Sequence, residues 1–148
     1  MLHVYEFEVF KDGDFYLAFP FDMDGGTQGY SIQEASEMAA DWLQTEMEQR
    51  AMHDLPLPKA TFGNEPQHGG ERLLVAVNAG KDTVRRMTAA EAARRLGVTR
   101  GRVSQMVGSG LLETFELDGR RWVTEDSVNA RLADAPKAGR PKREPAVA

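Results

Sequence analysis

Two short helical patterns separated by a single tight turn constrain the fold of this chain more than any other feature. Thr88-Ala-Ala-Glu91 is a capping box, in which a threonine hydroxyl and a glutamate carboxylate satisfy N–H groups at the start of a helix. Gly97 is placed to end that helix in the left-handed conformation. Thr99 is placed to cap the next helix. The sequence therefore predicts a helix that ends near Leu96, a tight turn, and a second helix after Thr99.

A β-hairpin and a last helix are predicted to follow this pair. Asp118-Gly119 separates two runs rich in β-formers, LLETFEL and RRWVT, and is among the strongest hairpin signals. Thr124 is placed to cap a final helix that contains Val128 and Leu132. The domain predicted over residues 81–134 is therefore a helix, a tight turn, a helix, a β-hairpin and a helix.

The second helix of the pair has two unlike faces in projection. Its inward face holds Val103, Met106 and Val107, and its outer face is centred on Gly101, Gln105 and Gly108. Glycine costs a helix interior about 1 kcal/mol relative to alanine. Positive charge in the first turn, here Arg100 and Arg102, opposes the helix dipole. Both costs are explained if the outer face enters a DNA major groove, and the alternative is a solvated surface helix.

The predicted hairpin strengthens the DNA-binding interpretation, because Arg120 and Arg121 directly follow its turn. In this prediction Arg102, Ser104 and Gln105 face the major groove, whereas Arg100, Arg120 and Arg121 hold phosphates. The candidate DNA-binding residues are Thr99, Arg100, Gly101, Arg102, Ser104, Gln105, Arg120 and Arg121. DNA readers of this kind usually bind two half-sites, so we expect a homodimer or a dimer of dimers on double-stranded DNA.

The first 80 residues predict a separate β-β-β-α-β domain, in which the third strand is short. KDGD (11–14) separates two β-rich runs, and Ser31-Ile-Gln-Glu34 is a second capping box, for a helix to about Arg50. The apolar positions of that helix are Ile32, Ala35, Met38, Ala39, Trp42, Leu43 and Met47. An irregular connection over 53–70 precedes a strand at 72–79. Overall the sequence predicts an α+β chain of two domains.

The net charge changes sign at the predicted boundary between the two domains. Residues 1–80 hold 4 Lys/Arg and 14 Asp/Glu, a net charge of −10, whereas residues 81–148 hold 14 and 9, a net charge of +5. The basic half suits nucleic acid and the acidic half suits a basic protein. The tail over 135–148 has too little apolar content to fold and predicts disorder. The alternative for this tail is a DNA minor-groove contact through Gly139-Arg140-Pro141.

Other classes of function find little support in the residues. The chain contains no cysteine, no apolar run long enough to span a bilayer and no basic start typical of a signal peptide, so we expect a cytoplasmic protein without membrane contact. We expect no catalytic site, metal or cofactor, because no catalytic motif is present and turn roles explain the paired aspartates. A metal-dependent nuclease that uses Asp22 and Asp24 is the third hypothesis.

Two family resemblances extend these predictions. Residues 87–132 resemble the winged helix-turn-helix of the MerR and excisionase superfamily, through Thr88, Glu91-Ala92-Ala93, Leu96-Gly97-Val98-Thr99, Gly110-Leu111-Leu112 and Gly119-Arg-Arg-Trp-Val. The first domain resembles the HicB-like antitoxins, through FYLAFP (15–20), Thr27-Gln28-Gly29-Tyr30-Ser31-Ile32-Gln33-Glu34-Ala35 and Leu55-Pro-Leu-Pro58. It departs from that family at Phe21-Asp22-Met23-Asp24-Gly25.

The second resemblance implies a partial RNase H-like fold and an antitoxin of a type II toxin–antitoxin system. Such a protein neutralises a small basic mRNA-cleaving toxin, itself HicA-like, and represses its own operon. Which surface would bind the toxin is left open, as is the domain that forms the dimer. The alternative is a solitary DNA-binding regulator whose first domain only oligomerises.

Overall fold

A computed structural model of the chain describes residues 1–134 and divides them into two compact units. The first unit is Met1–Val84, and the second begins at Arg85. Together the described residues form four α-helices and two antiparallel sheets, a mixed α and β architecture. The predicted disordered tail, with its basic minor-groove candidate, lies outside the described residues.

The first unit is a four-stranded antiparallel sheet with one helix packed on it. Its elements are β1 (Leu2–Asp12), β2 (Phe15–Pro20), β3 (Thr27–Gly29), α1 (Ile32–Met52) and β4 (Glu71–Asn78), followed by a single 3₁₀ turn (Lys81–Thr83). The strand order is β3-β2-β1-β4, so the short β3 and the longer β4 are the edges. This β-β-β-α-β element order is the one that the sequence predicts.

The β1–β2 hairpin is set by its two-residue turn. Gly13 has a φ of 60°, and Asp12 pairs with Phe15 across the turn. A positive φ at the first central residue is typical of the tight hairpin turns that follow the natural twist of strands. The strand β1 therefore continues to Asp12, two residues beyond the sequence prediction.

The core of the first unit lies between α1 and one face of the sheet. Phe7 in β1 is fully buried, as is Leu43 in α1, and Trp42 meets the Phe7 ring edge-on with ring centroids 5.9 Å apart. Two of the apolar positions predicted along α1 do not belong to this core, because Ile32 is 56% exposed and Met38 is 40% exposed. The face that packs on the sheet is narrower, and its buried members are Ala35, Ala39, Leu43 and Met47.

On the opposite face of the sheet, two buried glutamates hold the long connection between α1 and β4. The Glu6 carboxylate accepts hydrogen bonds from the N–H groups of Gly63 (3.0 Å) and Asn64 (2.8 Å). The Glu8 carboxylate accepts hydrogen bonds from the N–H groups of Gln67 (2.8 Å), His68 (2.9 Å) and Gly70 (2.9 Å). The connection that the sequence predicts as irregular is therefore tied down over the sheet.

These hydrogen bonds decide the ionisation of both glutamates. Burial raises the pKa of Glu6, but the N–H groups of Asn64 and Gly63 stabilise the carboxylate more, so its pKa lies below the usual 4.5. Burial likewise raises the pKa of Glu8, and its three backbone hydrogen bonds outweigh burial, so this pKa is also lowered. Both side chains therefore act as charged anchors near neutral pH.

The second unit is built from three helices and a three-stranded sheet. Its elements are β5 (Arg86–Met87), α2 (Ala89–Leu96), α3 (Arg100–Gly108), β6 (Thr114–Leu117), β7 (Arg120–Thr124) and α4 (Glu125–Asp134). The strand order is β5-β7-β6. Its buried core consists of Met87, Ala92, Ala93, Val103, Met106, Leu112, Val123 and Val128. Thr124 accepts a hydrogen bond from the Ser127 N–H at the start of α4, as its predicted capping role requires.

Candidate nucleic-acid interface

Capping residues and one left-handed glycine fix where α2 begins and ends and where α3 begins. Thr88 and Glu91 form a reciprocal capping box at the start of α2. Gly97 ends α2 with a φ of 66°, in the left-handed region that favours glycine. The Thr99 hydroxyl accepts a hydrogen bond of 3.1 Å from the Arg102 N–H and so caps α3. Thr99, predicted as a DNA-binding residue, is therefore already occupied in holding the helix start.

Packing against α2 decides which face of α3 is presented to solvent. Val103 and Met106 are buried in the core of the unit, and Val107 packs against it. The remaining predicted contact residues of the helix are all exposed: Arg100, Gly101, Arg102, Ser104 and Gln105. Arg102 and Gln105 are one turn apart, and the Arg102 Nη1 donates to the Gln105 Oε1 at 3.4 Å. The outer face of α3 thus presents a guanidinium beside an amide.

The two glycines of α3 are not required by the packing of the protein itself. Neither Gly101 nor Gly108 has a positive φ. A Cβ at Gly101 would come no closer than 3.8 Å to the Thr99 hydroxyl, and a Cβ at Gly108 would meet nothing within 4 Å. Since alanine is the better helix former, glycine at these positions carries a cost that the packing of the described residues does not explain.

The first turn of α3 carries positive charge that the described residues do not balance. Its first turn contains no acidic residue. The Arg100 guanidinium is exposed and makes no hydrogen bond or ion pair within residues 1–134. Exposed N–H groups and positive charge at a helix start both favour an anionic ligand. An acidic or phosphate group near Arg100 would relieve the repulsion.

The β6–β7 hairpin presents two more arginines at its tip. Asp118 and Gly119 have φ values of 54° and 73°, the two positive angles of the turn predicted for Asp-Gly. Arg120 directly follows this turn and pairs with Leu117 through the strand, whereas its exposed guanidinium has no hydrogen-bond or ion-pair partner within the described range. Arg121 is engaged within the hairpin, since it donates to the Thr114 hydroxyl at 2.9 Å and to Glu116 at 3.2 Å.

One contact at the base of the hairpin was missed by sequence reasoning. The Arg86 guanidinium lies 5.0 Å from the centroid of the Trp122 ring, a favourable cation–π geometry. Arg86 lies in β5, and β7 separates this strand from β6 in the sheet. No spacing in the sequence relates Arg86 to Trp122, because their proximity depends on the pairing of β5 with β7.

Asp22, one of the two aspartates considered as metal ligands, has hydrogen-bond partners within the first unit. Both carboxylate oxygens of Asp22 accept hydrogen bonds from Thr61, at 2.8 Å from its N–H and 2.6 Å from its hydroxyl. In the part of the chain that the structure describes, no three His, Asp or Glu side chains are grouped to hold a metal ion. No helix over residues 1–134 is long and apolar enough to cross a membrane.

Comparison with known proteins gives one structural similarity. No protein-family model matches the sequence, and no curated protein matches it significantly. The fold is similar to a chain from a solved toxin–antitoxin complex of Streptococcus pneumoniae, with 17% sequence identity and a TM-score of 0.49. The similarity covers 74% of this chain and 99% of the other. A likeness of this degree does not assign a function.

Proposed function

We propose that this chain is a DNA-binding antitoxin and transcriptional repressor, with a winged helix-turn-helix in its second unit and a partial RNase H-like first unit. In this proposal α3 reads the major groove through Arg102, Ser104 and Gln105. Arg100 and the β6–β7 hairpin arginines hold phosphates. The first unit neutralises a small basic mRNA-cleaving toxin.

The observation that carries the DNA-binding part is the outer face of α3. It combines two glycines that internal packing does not require with exposed arginines and a glutamine one turn apart. Glycine allows a close approach of backbone to a ligand, and arginine and glutamine are side chains that recognise guanine and adenine edges. A merely solvated helix would gain stability from alanine at both glycines and would not need the arginines.

The antitoxin part rests on charge and on exposed apolar residues of the first unit. The net charge of −10 over residues 1–80 favours association with a basic protein. Several large apolar side chains of this unit are exposed, among them Tyr30, Leu55 and Phe62. Exposed apolar side chains on an acidic unit are suited to a protein partner of opposite charge.

Measuring the salt dependence of DNA binding tests the DNA-binding part. We expect Arg120→Ala with Arg121→Ala to weaken binding to every DNA sequence and to reduce the slope of log K against log salt by about 2 per bound chain. The matched control is Lys11→Ala with Lys59→Ala, which removes the same charge from the first unit. An unchanged slope in the arginine variant would exclude the hairpin from the DNA contact.

Co-purification tests the antitoxin part separately. Expression of the chain together with the short reading frames that neighbour its gene should yield a stable complex with a small basic protein. The small basic protein alone should cleave mRNA, and this cleavage should stop when the chain is added in an equal amount. If no neighbouring product binds while DNA binding persists, the second candidate applies, a solitary regulator whose first unit only oligomerises. The exposed edge of β4 favours that candidate.

A further inference from the structure

The edge strand β4 has unpaired backbone groups along one side and carries charged side chains only at its first two residues, Glu71 and Arg72. The other edge of the same sheet, β3, is only three residues long, whereas β4 has eight. Natural proteins protect long edges with proline, bulges, inward charges or a covering segment, because an open edge pairs with other strands. The sequence of β4, ERLLVAVN, contains no proline, and its central residues Leu73–Val77 carry no charge.

Hydrogen bonds at the ends of β1 show which backbone groups of β4 face outward. The Phe21 N–H donates to the Glu6 oxygen, and the Ala79 N–H donates to the Met1 oxygen, both at 3.0 Å. Even-numbered residues of β1 therefore face β2, and odd-numbered residues face β4. Since Tyr5 pairs with Val75, the odd-numbered residues of β4 face β1. The even-numbered residues of β4 direct their N–H and C=O groups away from the sheet.

Three of these outward residues lie open to solvent. Arg72, Leu74 and Ala76 are exposed, and no other residue of the described chain bonds to their outward backbone groups. The fourth, Asn78, is different because its carbonyl accepts a hydrogen bond of 3.1 Å from Gln44. The Leu74 side chain is 61% exposed beside this open stretch. The unsatisfied edge is therefore confined to the middle of β4.

We propose that β4 pairs antiparallel with β4 of a second copy of this chain. This inference rests on the proposed function, since a reader of two half-sites needs a two-fold symmetric dimer, and antiparallel pairing of identical strands has that symmetry. In such a pairing, the residues of β4 whose N–H and C=O groups point away from the sheet must lie opposite the same kind of residue in the second copy. With Leu74 opposite Leu74 of the second copy, Arg72 opposes Ala76, and Asn78 keeps its bond to Gln44. This register covers the exposed leucine and avoids placing two Arg72 side chains opposite each other.

The charge of the strand supports a second copy as the occupant. Glu71 and Arg72 balance each other within β4, although the first 80 residues as a whole carry a net charge of −10. Two copies can therefore approach along β4 without bringing like charges together at its centre. A strand from a basic partner would gain no special attraction at this neutral edge.

A proline substitution tests this pairing while sparing the native sheet. Ala76→Pro removes an outward N–H and leaves every β1–β4 hydrogen bond in place, because proline is tolerated where the N–H faces solvent. Ala76→Thr is the matched control, since it keeps the N–H and favours strands. By sedimentation velocity we expect a dimer of the 16.4 kDa chain, retained in the threonine variant and weakened at least about tenfold in the proline variant.

Hydrogen exchange on the unmodified full chain provides the second measurement. The amides of Leu74 and Ala76 should become protected as protein concentration rises. A wild-type chain that remains monomeric, or a proline variant whose dimer is unchanged, overturns the pairing. The pairing is also overturned if the Leu74 and Ala76 amides exchange freely in the dimer. Gel-shift assays distinguish this from failure of the proposed function: a β4-paired dimer that binds no DNA refutes only the DNA-binding proposal.

Discussion

Replacing the two glycines of α3 by alanine should separate stability from DNA binding. Neither Gly101 nor Gly108 has a positive φ, and an added Cβ meets no atom closer than 3.8 Å. Alanine therefore introduces no strain and restricts the unfolded chain more than glycine does. Because both positions lie near helix ends, we expect the double variant to stabilise the second unit by about 1 kcal/mol in total. That corresponds to a rise of roughly 4–8 °C in the unfolding midpoint.

DNA affinity should change in the opposite direction. If the backbone at these glycines approaches phosphate or base edges closely, two added methyl groups hold the helix away from the groove. We expect at least about a tenfold loss of affinity, equal to roughly 1.4 kcal/mol. The assay combines calorimetry of the full chain with fluorescence anisotropy on an operator fragment. More stable protein that binds DNA less well is the combination that a close backbone approach predicts.

The control for this experiment is Gly97→Ala. Gly97 has a φ of 66°, so alanine there is strained although nothing lies within 4 Å of its Cβ position. We expect this variant to lose about 1 kcal/mol of stability, which also identifies the calorimetric transition of the second unit. A loss of stability in the α3 variant would refute the reasoning about internal packing. Unchanged affinity would refute the role assigned to its glycines.

Two further predictions concern acid stability and sequence preference. Because the folded pKa values of Glu6 and Glu8 are lowered, the stability they contribute is complete above their unfolded pKa near 4.5 and is lost as pH falls through the folded values. Urea unfolding followed by Trp42 fluorescence in a Trp122→Phe background should show this loss, and Glu8→Gln should reduce it; a pH-independent midpoint would contradict it. Gln105→Ala should reduce discrimination between operator and random DNA with little change in nonspecific affinity, and equal losses on both DNAs would argue against base contact.

The sequence predicts well those features that neighbouring residues determine. The Thr88–Glu91 capping box, the left-handed Gly97 and the Asp118-Gly119 turn all depend on residues within four positions of each other, so local chemistry is enough to specify them. The predicted Ser31–Glu34 box forms only in part, because Ser31 caps the helix but the Glu34 carboxylate accepts from the Tyr30 N–H instead of the Ser31 N–H. The buried and exposed faces of α3 also follow from helical spacing alone. The exposure of the candidate DNA-binding residues within α3 could therefore be predicted without a structure.

Features that depend on distant segments could not be predicted in this way. Glu6 and Glu8 interrupt the apolar pattern of β1 and suggest that this side of the strand faces solvent. Both are instead buried by a connection that comes nearly 60 residues later in the chain. Ile32 and Met38 fit the helical spacing of α1 but are exposed to solvent. In both cases the burial of a side chain depends on what tertiary structure places above it, which local periodicity does not contain.

Arg121 can still bind a DNA phosphate although it forms an ion pair with Glu116. Both side chains are more than 60% exposed, and exposed ion pairs of this kind contribute only about 0–1 kcal/mol. A DNA phosphate can accept two hydrogen bonds from the guanidinium, and its binding also releases counterions. Arg121 can therefore exchange Glu116 for phosphate at small cost, and until then Glu116 shields part of the hairpin charge. Arg120 has no such partner to give up, so it should account for most of the hairpin's long-range attraction to DNA.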